Sequence, residues 1–189
     1  MKMDIAVLKD EFYGCIRAAL QEFSKTEENR EVYAIALDCD SDVGMISLRY
    51  NNRMHFMKKF PEYEEYEKEY GWKVYGLCGS EYDVGEFGFI DYKNTELIKH
   101  FKDSYYYHST GDYLGEGEPM EDIKDDRTEI LWAMVTEAIV RLKKETDELG
   151  IDTVEDFIFF ACTHDQSDAE RIGMMKITVD QEIMDKLIK

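Results

Sequence analysis

"VYAIALDCDSDVGMISLRYN", residues 32–51, decides how the chain is built. Residues 32–39 are apolar on both alternating sets, the mark of an inner strand covered on both faces. "DSDVG" (40–44) supplies turn residues, and 45–51 alternates Ile46, Leu48 and Tyr50 with more polar neighbours. Two strands this close in sequence are expected to form an antiparallel hairpin.

Upstream, Ile5, Leu8, Phe12, Ile16, Ala19, Leu20 and Phe23 recur at three- and four-residue steps, so a helix is predicted there with Asp4 as its N-cap. Downstream, Pro61 suits a first helical turn, Glu62, Glu64 and Glu65 suit the positive end of its dipole, and Gly71 suits its stop. Glycines at 76, 79, 85 and 88 argue against a long helix, so 72–91 reads as short extended pieces and turns. "NTELIKHFK" (94–102) reads as a short helix, and the Gly, Pro and Asp content after it as a loop. A longer helix is expected from Asp126, with Glu129 as its capping-box partner, to Gly150. "FIFFACT" (157–163) reads as a second inner strand, "GMMKITV" (173–179) as an edge strand, and "QEIMDKLIK" as a closing helix.

Strands that cluster rather than alternate with helices favour an α+β fold. The expectation is one domain over 1–189, with several helices packed on a mainly antiparallel sheet of about four or more strands. A hydrophobic content of 44% suffices for such a core, and no linker-like stretch divides it.

The 42 acidic residues outnumber 23 basic ones, giving a net charge of −19. Phosphate backbones and anionic membranes repel such a chain, so nucleic-acid and membrane binding are not expected. Solubility and capture of a basic protein are the two readings of the acidity. Cys15, Cys39, Cys78 and Cys162 form no Cys-x-x-Cys pair, and the first residues lack a secretory pattern, so a cytoplasmic location with reduced thiols is expected.

"FFACTHDQSDAE" (159–170) gathers a thiol, a hydroxyl, an imidazole and carboxylates at the end of an apolar run. His164, Asp165 and Asp168 form a candidate ligand site at the end of the 157–163 strand. No metal is expected, because ligand pairs with zinc spacing are missing. Cys162 and His164 share a strand face, but a thiol set in an apolar run is inert. "DCDSD" (38–42) lacks the glycine and terminal glutamate of a calcium loop, and the glycines of 76–88 match no phosphate loop. No motif implies a catalytic residue or a cofactor. The stretch "YEEYEKEYGWKVYG" (63–76) is the candidate partner surface, through Tyr63, Tyr66, Tyr70, Trp72 and Tyr75. The alternative is that this stripe packs on the sheet.

"EFYGCIRAAL", "VYAIALDCDSDVGMISLRYN", "YGWKVYG" and "VEDFIFFACTHDQSDAE" together resemble a bacterial family, domain-of-unknown-function family four-three-zero-three. The resemblance spans most of the chain, though the family's second tryptophan soon after the first has no counterpart here. It implies a small acidic α+β protein of the kind found as immunity or accessory proteins beside toxins. The expected function is therefore a binding protein, of immunity type, that neutralises a basic toxin through an acidic, Tyr-rich face. An enzyme or small-ligand site near the end of the 157–163 strand is the alternative. Oligomeric state is left open.

Overall fold

The computed structural model describes residues 5–40, 45–90, 124–163 and 166–188. Strands β1 (Val32–Asp40) and β2 (Met45–Asn52) pair antiparallel with Leu37 opposite Leu48, which is the expected hairpin. A two-residue strand, β3 (Phe89–Ile90), lies antiparallel to β2. Strand β4 (Thr153–Thr163) runs parallel to β1, with Asp38 opposite Cys162. The order is β3-β2-β1-β4.

The α+β class stands, but among the described residues the sheet is mixed, with three long strands, rather than mainly antiparallel with about four or more. The continuous apolar run of β1 explains why. A strand buried on both faces needs helical layers on both, and a parallel neighbour reached by a long crossover delivers them.

Six helices occur among the described residues: α1 (Ile5–Phe23), α2 (Arg53–Tyr70), α3 (Lys124–Leu142), α4 (Thr146–Leu149), α5 (Asp168–Thr178) and α6 (Gln181–Leu187). On one sheet face Ile35, Leu37, Cys39, Leu48 and Phe159 meet Phe12, Ile16 and Leu20 of α1 and Met134, Val135 and Ile139 of α3. On the other, Ala34, Ala36, Phe160 and Cys162 meet Phe56 and Tyr63 of α2, Val74, Tyr82, Met175 of α5 and Met184 of α6. A bulge between Val32 and Ala34 turns both Tyr33 and Ala34 toward this second core. Burying each large apolar side chain contributes roughly 1.5–3 kcal/mol. A polar clamp joins the first layer: the Tyr13 hydroxyl donates to Glu145 at 2.5 Å, and Arg17 Nε reaches the same carboxylate at 2.9 Å.

Several boundaries depart from the expectations. Residues 173–179 are not a strand but the body of α5, which runs through Thr178. The Ser167 side chain accepts from Glu170 N–H while the Glu170 side chain accepts from Ser167 N–H, a capping box that starts this helix. Helical spacing then buries Met175 and Val179 and leaves Ile177 outside. Helix α2 starts eight residues before Pro61, because Asn52 caps it by accepting from His55 N–H at 2.7 Å. The expected helix ending at Gly150 is interrupted. Turn residues 143–145 separate α3 from α4, and α3 already begins at Lys124. Short turns at Ser80–Tyr82 and Val84–Glu86 match the reading of 72–91. The expected helix at 94–102, the loop after it and the Asp4 cap lie outside the described residues. No helix among the described residues is long and apolar enough to cross a membrane.

Candidate functional site

The segment after α2 is fixed before it can present anything. Gly71 ends the helix in the left-handed conformation (φ 72°) that only glycine adopts without strain, and its N–H returns to the Glu67 carbonyl. The chain folds back, and the buried Glu81 side chain ties it to the start of α2 while the Glu81 carbonyl ties it to β1. One Glu81 oxygen takes Arg53 Nη1 at 2.5 Å and the other takes Gly76 N–H at 3.1 Å. The Glu81 carbonyl accepts from the Tyr33 hydroxyl at 2.7 Å, which itself accepts from Asn51 Nδ2 at 2.8 Å. Gly79 is required as well: a Cβ there would lie 2.6 Å from the Tyr75 carbonyl oxygen.

On the outside of this segment sits an aromatic ridge. The rings of Tyr66, Tyr70 and Trp72 touch one another, with centroids 5.2 to 6.2 Å apart. Tyr70 and Trp72 are more than half exposed. At 100° per residue, Glu62, Glu65 and Glu69 form a strip along α2 next to Tyr66. The Tyr66 hydroxyl donates to Glu62 at 2.6 Å, and this bond pushes the phenol up to about 12 while holding Glu62 below the usual carboxylate range. The five aromatic positions singled out in the sequence thus divide. Tyr66, Tyr70 and Trp72 make the ridge. Tyr75 is exposed but packs apart from it, against Phe56 and Phe60. Tyr63 leaves the surface set, because it faces the core against Phe56 and is 1% exposed.

Beside the ridge opens a cleft of about 760 Å³, at the C-terminal ends of the parallel pair β1 and β4. Its lining joins Gly71 to Lys73, Cys78 to Ser80 and Asp83 to Gly85 with Asp38, Cys162 and Thr163 from the strand ends and Gln166, Asp168 and Arg171 beyond them. Asp38 is held by Arg49 at 2.8 Å in a nearly buried pair. Arg171 is committed to Asp168 at 2.7 Å and to the Leu77 carbonyl at 2.9 Å. Gln166 Nε2 is buried with no partner among the described residues. The carboxylates of Asp83 and Asp168 are exposed to the cleft's solvent. Burial pushes the Cys162 thiol up to about 12, so it is protonated and unreactive at neutral pH.

Of the residues expected at the end of the 157–163 strand, Asp168 lines the cleft. His164 and Asp165 lie outside the described residues, although Thr163 and Gln166 on either side of them line it. Among the described residues no group of three or more His, Cys, Asp or Glu is placed to hold a metal ion. Asp38, Asp83 and Arg171 were missed in the sequence. The signal for Asp38 was the apolar run before it: a parallel reading of β1 and β4 puts both strand ends at one sheet edge, where ligands bind in open sheets.

Comparison with protein-family models, with curated proteins and with solved structures finds no match.

Proposed function

We propose that this chain is a cytoplasmic protein-binding domain of the immunity type, which neutralises a basic protein by covering its functional surface. The observation that carries the reading is the aromatic ridge of exposed Tyr70 and Trp72 on the half-buried Tyr66, running beside the Glu62–Glu65–Glu69 strip. Rigid aromatic rings supply contact area at low entropic cost, and a net charge of −19 speeds encounter with a cation. The sequence resemblance to the domain-of-unknown-function family is compatible with this role and belongs to the same proposal.

The test is affinity capture from the native cell with the wild-type chain, Tyr70→Ala and Trp72→Ala, followed by titration of the recovered partner. A basic partner whose affinity falls with added salt and with either substitution supports the reading. A partner bound equally well by all three proteins, at every ionic strength, refutes it.

A second reading, an enzyme or small-ligand domain, rests on the cleft at the end of β4. Native mass spectrometry of the purified chain checks it, through a metabolite that remains bound and is released by substitutions in the cleft.

A further inference from the structure

Among the described residues, the buried side-chain atoms left without a partner at the cleft or directly behind it are all donors. They are Gln166 Nε2 and Arg171 Nε in the lining and, behind Asp38, Arg49 Nε. A buried donor without an acceptor is costly, so this end of the sheet is short of acceptors. It is not short of charge. Asp38, Asp83 and Asp168 are matched in number by Arg49, Arg171 and Lys73, with Asp38 on Arg49 at 2.8 Å and Asp168 on Arg171 at 2.7 Å. An ionic ligand meets no net opposite charge there, and the overall charge of −19 repels an anion further.

Of the unpaired donors, Gln166 is the one free to turn. Thr163 Oγ1 lies 3.4 Å from Gln166 Oε1, longer than a good O–H···O bond, so the carboxamide rotates into the cleft at little cost. Arg171 is anchored by Nη2 to Asp168 and to the Leu77 carbonyl. The exposed Trp72 gives the same cleft an aromatic wall.

We propose that the cleft binds an uncharged planar ring carrying a carbonyl, a ligand of the nucleoside class, an inference that rests on the small-ligand reading of the cleft. The ring stacks on Trp72, and its carbonyl oxygen accepts from Gln166 Nε2. Stacking on an indole requires a flat π-face and no charge, which suits a cleft whose ionic groups balance. A volume of about 760 Å³ is that of a small-molecule site and exceeds one ring, so a ribose fits beside the base.

The probes are inosine and uridine, titrated separately into the full chain and followed by NMR of the indole N–H groups. The chain has two tryptophans, and Trp72→Phe identifies the resonance of Trp72. Purine riboside, which is inosine without its ring carbonyl, tests the acceptor, and inosine monophosphate tests the effect of negative charge. The expected result is a saturable shift of the Trp72 resonance with inosine or uridine. Purine riboside binds about tenfold or more weakly than inosine, and the monophosphate binds no more tightly. In calorimetry, Gln166→Glu and Trp72→Ala each weaken nucleoside binding about tenfold or more, whereas Lys73→Ala changes it little. Equal binding of inosine and purine riboside, tighter binding of the monophosphate, or no saturable shift with either nucleoside overturns the assignment. If it falls while native mass spectrometry still finds a metabolite that Gln166→Glu releases, the small-ligand reading stands with a ligand of another class. If no metabolite is retained either, both fall.

Discussion

Glu81→Gln tests whether the side-chain staple holds this segment to the start of α2. The wild-type side chain is 8% exposed and accepts two hydrogen bonds, from Arg53 Nη1 and from Gly76 N–H. An amide of the same shape has only one acceptor oxygen. Whichever way it turns, its NH2 group faces a donor, so one of the two bonds is lost in a buried site. A hydrogen bond to a charged group contributes roughly 1.5–3 kcal/mol. Relief from burying a carboxylate offsets part of that, which leaves a cost of about 2 kcal/mol. For a chain of this size the melting temperature falls by roughly 4–8 °C. Urea unfolding followed by circular dichroism measures the free energy directly. Arg53→Met strands the carboxylate instead, and its cost lies near the lower end of about 3–5 kcal/mol because Arg53 is partly solvated. The double variant costs less than the sum, since both remove one interaction. A Glu81→Gln protein within about 0.5 kcal/mol of wild type would refute the staple.

The same network predicts that Tyr33→Phe, which deprives the Glu81 carbonyl and Asn51 Nδ2 of a partner, costs about 1–3 kcal/mol in the same assay. Gly79→Ala forces the Val74–Tyr75 backbone aside and costs roughly 1–3 kcal/mol, with altered amide shifts along the cleft wall in NMR. The Tyr13 hydroxyl and Arg17 hold the Glu145 carboxyl below its ordinary value of 4.5. The unfolded chain therefore binds that proton more readily, so this contribution is complete above the ordinary value and is lost as pH falls through the depressed one. Melting temperatures measured across the acid range drop less steeply for Glu145→Gln than for wild type.

Much of the architecture was legible because local signals agreed with the tertiary answer. The apolar runs located β1 and β4, and the 3.6-residue period located α1 from Ile5 to Phe23. Strand direction was not legible in the same way. An apolar run states that both faces are covered, while the pairing of β1 with β4 depends on a crossover whose path no local pattern encodes. Residues 173–179 differ from the strand expectation for another reason. Their short alternation is outweighed by the Ser167–Glu170 cap that precedes them, and a cap fixes helix phase more firmly than a few apolar positions. At the ridge, an aromatic stripe on α2 could be core or surface. The helix wheel places Tyr63 about 20° from the buried Phe56 and sets Tyr66 and Tyr70 further round on the flank away from Phe60, so the stripe is both. The cleft could not be read locally at all, since its walls are assembled from positions 38 to 171 by the sheet.

The parallel pairing of β1 with β4 also sets a schedule. Strand β1 ends at Asp40 and its partner begins at Thr153, 113 residues later. At roughly 5–20 residues per second, a ribosome takes on the order of ten seconds to supply β4 after β1 and β2 can form their hairpin. Throughout that interval one edge of β1, among the most apolar segments of the chain, has no native strand beside it. Such an edge recruits other strands. The nascent chain is therefore most exposed to misassembly before residue 153 emerges, and its net negative charge, which builds mainly in the residues after α2, keeps neighbouring copies apart until the sheet closes.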